Sequence, residues 1–305
     1  MHRIVALTIL CFFVGVTVGR LGAETPSEIK VVAYNLKNYL VMERPDAPGE
    51  AKPKPEDEIA ALVDVLRQEN PDVLGVCEIG ARDQLADLRG RLAKAGLEFK
   101  DEEWIEAEDT TRHLALLSKF PIVARNSKTD ASYELRGRVR RVQRGFLDVT
   151  VQVNPEYALR LVGVHLKSKL PIPEGEAIVR RNEAALLRKY FDGILEADPK
   201  TNLLAYGDFN DTKEQPVIKD IMGPRGSDTQ MRDVWITDAV GDRWTYFRGF
   251  TDGYERIDYL FASNGLWPEI VKEKSGIHRS PDWNKASDHR AIFTVIRASD
   301  APNKR

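Results

Sequence analysis

The chain has 305 residues, of which 42% are hydrophobic and 30% charged, and its formal net charge is −2. That supplies one large core or two modest ones, under an ordinary water-facing surface of mixed charge. A net charge so near zero excludes a global positive field drawing the protein to nucleic acid, so any pull on a polyanion must come from a local patch.

The N-terminus reads as an export signal. His2 and Arg3 precede an apolar run over residues 4–18, and Arg20-Leu21-Gly22-Ala23 follows. The run is short for a membrane span, which takes roughly 20 residues, so the expectation is cleavage near Ala23, with Leu21 a less usual residue at its position. The organisation implied is a signal peptide at 1–23, one domain over 24–298 and a disordered tail at 299–305, in a secreted or periplasmic protein with no stable membrane span after cleavage. Cleavage removes Arg3 and Arg20, for a mature charge of about −4. It also removes Cys11 and leaves Cys77 alone. A lone thiol closes no intramolecular disulfide, and behind Val73-Leu74-Gly75-Val76 it reads as a small buried hydrophobe.

Residues 29–34 read as the first buried strand, and 43–55, rich in Pro, Lys and Glu, as an exposed loop. Pro55 then opens a helix with Glu56, Asp57 and Glu58 in its first turn, where negative charge suits the helix dipole. Ile59, Leu62, Val63 and Leu66 give it an apolar face. Strands follow at 72–77 and 114–117, with helices at about 80–95 and 175–191. The stretches 127–141 and 222–232 read as long polar loops. At 146–153 the sequence alternates, placing Leu147, Val149, Val151 and Val153 on one face; Asn154-Pro155-Glu156 turns, and 159–166 returns as the second arm of a hairpin. Later strands read at 203–206, 244–247, 256–262 and 291–296. Strands mixed with helices, and a hairpin among them, imply mixed sheets covered by helices.

One pattern recurs along these elements. An apolar run ends and a residue suited to metal or proton chemistry follows: Asn35, Glu78, His165, then Asp208 and Asn210 within Gly-Asp-Phe-Asn-Asp. Asp288 and His289 stand just before the last strand, and Asp258 lies inside the run 256–262, where an unpaired carboxylate is costly to bury. Singly, each is also what a turn, a helix cap or a structural histidine looks like. Together they are complementary. Hydrolysis of a phosphate ester needs a hard cation with oxygen ligands, for which Glu78, Asp288 and the Asn35 carbonyl serve, and Mg²⁺ or Mn²⁺ fits such a set. It needs an aligned and deprotonated water, for which Asp208 and Asn210 serve, and donors to the phosphorane, for which protonated His165 and His289 serve, with Asp258 fixing a histidine. No Cys or Ser nucleophile motif and no zinc-type Cys/His spacing is present, so the chemistry points to direct attack by water rather than a covalent intermediate.

In this order the segments resemble the endonuclease/exonuclease/phosphatase superfamily over about residues 29–297. They are Tyr-Asn-Leu at 34–36, the strand ending in Glu78, Leu-Leu-Ser-Lys-Phe-Pro-Ile at 116–122, Val-His-Leu-Lys-Ser at 164–168, Gly-Asp-Phe-Asn-Asp at 207–211, Arg-Ile-Asp-Tyr-Leu at 256–260 and Ser-Asp-His at 287–289. The resemblance implies a four-layer sandwich of two packed mixed β-sheets flanked by helices. It implies metal on Asn35, Glu78 and Asp288, water activation by Asp208 with Asn210 aligning, an Asp258–His289 pair and a phosphate contact at His165. The role of His113 is left open by the resemblance. Five arginines in the nine residues 136–144 read either as a solvated loop or as a phosphate clamp, with Arg144 and Arg140 the candidates. The activity expected is a secreted, monomeric nuclease or broader phosphodiesterase acting on DNA or RNA. The alternative is a phosphatase or phosphodiesterase on lipid headgroups, inositol phosphates or nucleotides, and a non-catalytic binding module on the same fold is a third reading.

Overall fold

The computed structural model describes residues 26–44 and 47–302. The expected signal segment therefore lies outside the described residues, as do 303–305. In chain order the elements are β1 (Glu28–Tyr39), β2 (Met42–Arg44), β3 (Ala47–Lys52), α1 (Glu56–Glu69), β4 (Val73–Ile79), α2 (Arg82–Lys94), β5 (Asp101–Ile105), β6 (His113–Ser118), β7 (Ile122–Arg125), β8 (Ser132–Leu135), β9 (Arg138–Arg141), β10 (Leu147–Asn154) and β11 (Tyr157–His165). They continue with α3 (Glu176–Ala197), β12 (Leu203–Asp208), α4 (Pro216–Met222), β13 (Met231–Asp233), β14 (Tyr246–Arg248), β15 (Gly253–Glu255), β16 (Asp258–Ser263), β17 (Ile270–Ile277), α5 (Trp283–Ala286) and β18 (Ile292–Arg297).

Two six-stranded mixed sheets carry the fold, in the orders β17-β18-β1-β4-β6-β5 and β13-β16-β12-β11-β10-β7. In the first, β1 and β4 are parallel; in the second, β11 and β12 are parallel, and the neighbouring pairs are antiparallel. The sheets face each other through one apolar core, built from Val31, Ala33, Cys77 and Ile292 on one side and Val149, Leu161, Leu204, Tyr206 and Leu260 on the other. The outer face of the first sheet packs on α1 and α2 through Val32, Tyr34, Leu74, Leu62 and Leu88. The outer face of the second packs on α3 and α4 through Val162, Val164, Ala205, Leu187 and Ile218. The result is the expected four-layer sandwich. Strands buried on both faces have no polar side to show, which is why they read as continuous apolar runs.

Period-two alternation positions the polar strand ends. In β11, Leu159 and Leu161 face the other sheet, so His165 does too; in β12, Leu204 and Tyr206 do, so Asp208 follows; in β16, Asp258 shares its face with Leu260. Pairing sets His165 opposite Asp208 and Asp208 opposite Asp258, so three adjacent strands present three ionisable groups side by side.

Some local expectations change. The segment 43–55 holds most of the hairpin β2–β3, which begins at Met42, and the polar stretch 127–141 contains the hairpin β8–β9. Along α1 it is Val65 rather than Val63 that is fully buried. Of the expected tail, Asp300 accepts a hydrogen bond from Asn202 Nδ2 at 3.0 Å and Ala301 N–H donates to Glu269 Oε1 at 3.2 Å.

Candidate active site

At one end of the sheet interface a cleft of about 400 Å³ is lined by Glu78, His165, Asp208, Asn210, Asp288 and His289. Both sheets contribute. The first supplies Asn35 from β1, Glu78 from β4 and the approach to β18; the second supplies β11, β12 and β16. Asn35 Nδ2 bridges Glu78 Oε1 at 3.3 Å and Asp208 Oδ2 at 3.1 Å. Asn35 Oδ1 accepts from the Lys37 N–H at 3.1 Å, so here the amide holds carboxylates through its nitrogen, and its carbonyl, read from sequence as a metal ligand, faces the backbone instead. Glu78 Oε2 accepts from the Asn38 N–H at 3.0 Å. Asp208 Oδ1 accepts from the Asn210 N–H at 2.8 Å, and Asn210 Nδ2 donates to the Leu166 carbonyl at 3.0 Å. Glu78 and Asn210 both have left-handed backbones, at φ 61° and 54°, which side-chain-bearing residues adopt rarely and which gather at functional positions.

His289 Nδ1 lies 2.9 Å from Asp258 Oδ2, and its Nε2 3.7 Å from Asp208 Oδ2. Burial works against the imidazolium, but the charges of Asp258 and Asp208 and the Asp258 hydrogen bond outweigh it and raise the His289 pKa to about 10. Burial, with Asp258 and Glu78 adding to it and His289 opposing, pushes Asp208 up to about 7. His165 Nε2 lies 3.7 Å from Asp208 Oδ2 and 3.9 Å from Glu78 Oε1. Burial, helped by the positive charges of Arg144, His289, Arg112 and Lys167, drives His165 well below the ordinary histidine value. These surroundings favour the neutral imidazole over the cation expected from sequence, because burial and cationic neighbours are tertiary facts.

Ser287 staples the halves together. Its hydroxyl donates to the Asn35 carbonyl at 2.8 Å and accepts from the His289 N–H at 3.1 Å. Thr245 Oγ1 receives the Ile257 and Asp258 N–H groups, each at 3.1 Å. Tyr246 packs its ring on His289 with centroids 4.7 Å apart, and Arg248 and Phe250 from the same hairpin line the cleft, as do Lys169 and Leu170. No strand-end signal marks these hairpin and loop residues in the sequence. Of the arginine candidates, Arg144 is buried, pairs with Asp109 at 3.0 Å and puts its charge on His165. Arg140 does not reach the cleft: it pairs with Glu174 and lines a neighbouring groove of about 500 Å³ with Arg138 and Arg141.

The family model for the Endonuclease/Exonuclease/phosphatase family matches residues 33–289. The chain belongs to that family. It is accordingly a phosphoester hydrolase, of a family dependent on divalent metal. No curated protein matches it in sequence. Among solved structures, truncated TDP2 from Caenorhabditis elegans is similar with a TM-score of 0.60 at 16% identity, covering 89% of this chain and 98% of that one. The human nocturnin catalytic domain, solved with a bound sulfate anion, gives 0.61 at 15% identity over 88% and 94%. Sphingomyelinase C from Streptomyces griseocarneus gives 0.56 at 15% over 88% and 99%. Likeness at this identity concerns the fold.

Proposed function

We propose that this family member is a Mg²⁺- or Mn²⁺-dependent phosphodiesterase, with nucleic acid its best-supported substrate, cleaved by direct attack of water. The observation that carries the reading is an imbalance of charge. Glu78, Asp208 and Asp288 line the cleft, with Asp258 behind them; the lining cations Lys169 and Arg248 are both engaged by Glu255, and of the two lining histidines only His289 is held protonated. Clustered anions in excess need a cation, and carboxylate oxygens are hard donors suited to Mg²⁺ or Mn²⁺.

Ligating atoms of Asp208, Asp258 and His289 lie within 4.8 Å of one another. An imidazolium with a proton on each nitrogen has no lone pair for a metal, so this trio is better suited to holding protons. Glu78 and Asp288 would hold the ion, with Asn35 fixing Glu78 and Asp208 beside it. The bound ion would withdraw charge from the substrate phosphate. Asp208, poised near neutrality, accepts the proton of the attacking water. Asn210, its nitrogen committed to Leu166, turns Oδ1 to align that water. Neutral His165 donates to a phosphate oxygen, and His289, kept charged by Asp258, offers a second donor.

The nucleic-acid substrate is supported by the arginine groove beside the cleft. Leu170 and Pro171 line the cleft and Ile172, next in sequence, lines the groove of Arg138, Arg140 and Arg141, so a polyanion leaving the cleft meets guanidinium groups. A lipid headgroup is the second reading, favoured by Phe250 and Leu170 at the cleft wall, 84% and 71% exposed. The test is release of acid-soluble nucleotides from DNA and RNA with Mg²⁺ or Mn²⁺, with sphingomyelin and inositol phosphates in parallel. Expected are chelator-sensitive cleavage and a loss of about 10²–10⁴-fold in Asp208→Ala. Intact polymers beside hydrolysed lipid or small esters would overturn the nuclease reading, and equal rates in Asp208→Ala the mechanism.

A further inference from the structure

Glu78 occupies the place where strand alternation fails. Along β4, Val73 and Cys77 face the opposing sheet, while Leu74 and Val76 face the helices. Strict alternation would send Glu78 to the helix side, away from the cleft. Instead Ile79 takes the helix side, and pairing with β6 jumps from Cys77–Leu114 to Ile79–His113. Glu78 is thus the extra residue of a β-bulge, and the bulge is what turns its carboxylate into the cleft.

Its left-handed backbone needs holding, and β5 and β6 supply the means. The Gly80 carbonyl accepts from His113 Nδ1 at 2.9 Å and from Trp104 Nε1 at 3.0 Å, with the two rings packed at 4.5 Å between centroids. His113 Nδ1 also reaches the Ile79 carbonyl at 3.3 Å. Carbonyls only accept, so this nitrogen carries the proton. The Gly80 N–H donates to the Tyr39 carbonyl at 2.9 Å. A Cβ at Gly80 would stand 2.6 Å from Gln84 Oε1 and 2.7 Å from Leu40 Cβ, so the peptide is boxed in on that side too. His113 is 2% exposed and does not line the cleft. Its neighbour Arg112 donates to Asn38 Oδ1 at 2.7 Å, and Asn38 in turn donates its N–H to Glu78.

We propose that His113, backed by Trp104, is a positioning residue: it clamps the Ile79–Gly80 peptides, keeps the Glu78 carboxylate turned into the cleft, and thereby sets the affinity of the protein for its divalent cation. This rests on the reading of Glu78 as a holder of the ion. His113 touches neither ion nor substrate; it acts through the backbone.

The test is calorimetric titration of the full chain with Mn²⁺ and no substrate, with thermal midpoints measured alongside. The variants are His113→Phe, which fills the volume without a donor, His113→Asn, whose amide can return an N–H near the Nδ1 position, Trp104→Phe and Glu78→Gln. Expected are Mn²⁺ binding weakened about 10-fold or more in His113→Phe, as for other groups that orient a ligand, near-native binding in His113→Asn, and a several-fold loss in Trp104→Phe. Native affinity in His113→Phe beside lost affinity in Glu78→Gln would overturn the clamp while leaving Glu78 as ligand. Native affinity in Glu78→Gln would overturn the reading beneath it and the proposal with it. Equal weakening in His113→Phe and His113→Asn would assign His113 a purely structural role and overturn the proposal as well. Should His113→Phe fail to fold, Trp104→Phe decides, unchanged Mn²⁺ affinity overturning the proposal and a several-fold loss supporting it.

Discussion

Asp208 and His289 share the cleft's proton chemistry, and their ionisation gives it a pH window. Water activation needs Asp208 as carboxylate, so activity rises with pH through a limb at or below about 7, since a bound cation favours the ionised form further. Donation by His289 needs the imidazolium, which Asp258 and Asp208 sustain to about 10 against the effect of burial. In Asp258→Asn a neighbouring negative charge is lost, burial prevails, and the alkaline limb of kcat/KM moves toward neutral pH while the acidic limb moves less; an unmoved alkaline limb would remove His289 from the reaction. The identities of these groups were legible in sequence because each stands at or beside the boundary of an apolar strand. Their states were not. His165 reads as a cation until its burial beside Arg144 is known, and Glu78 reads as an ordinary strand-end residue because a bulge is set by the partner strand, not by local sequence.

At the scale of elements, one ring is held tightly between the two sheets. Tyr206 of β12 lies against Gly75 of β4, where an added Cβ would run into the ring, and its hydroxyl would stand 2.8 Å from a Cβ at Gly163. Only glycine at position 75 leaves room for the aromatic side chain there. Gly75→Ala is expected to destabilise the protein by about 1–3 kcal/mol through overpacking, read as a lower urea midpoint, and to lower activity beyond what residual folding explains, because β4 carries Glu78 and β12 carries Asp208. A variant with native midpoint and activity would show that the sheets adjust freely. Elements were legible in proportion to their burial. β1, β10 and β12 announce themselves, whereas β5 (Asp-Glu-Glu-Trp-Ile) and β17, with Lys272, Glu273 and Lys274 at its centre, pass for loops. Both are edge strands, where charge discourages pairing with other chains, so the property that protects them hides them. The polar hairpins β2–β3 and β8–β9 stand outside the main sheets and give no alternation to read.

For the whole molecule, the cost of bringing remote segments together falls partly on Asp238 and Arg290, both almost fully buried. Arg290 donates to Asp238 Oδ2 at 2.7 Å, to the His278 carbonyl at 2.9 Å and to the Trp244 carbonyl at 3.2 Å, tying three segments to the residue after His289. Burial opposes ionisation of Asp238, but hydrogen bonds from Arg290, Arg279 and two backbone N–H groups overcome it and hold its carboxyl far below the ordinary value. A depressed carboxylate contributes stability that is complete above the unfolded pKa of about 3.9 and is lost as pH falls from there through the folded value. Asp238→Asn should therefore flatten the acid limb of stability below about pH 4 and cost about 3–5 kcal/mol at pH 7, where Arg290 is left as an uncompensated charge; urea titrations at the two pH values check both, and parallel acid limbs would exclude the pair. The order of the chain adds a consequence in time. The first sheet takes β1 and β4 from the start of the fold and β17 and β18 from its end, with the whole second sheet between them. Until the last strand emerges, β1 lacks its β18 neighbour and the cleft lacks Asp288 and His289. A growing chain thus stays chemically silent until residues 288–297 have been made, and hydrolytic competence arrives with closure of the sheet rather than by degrees.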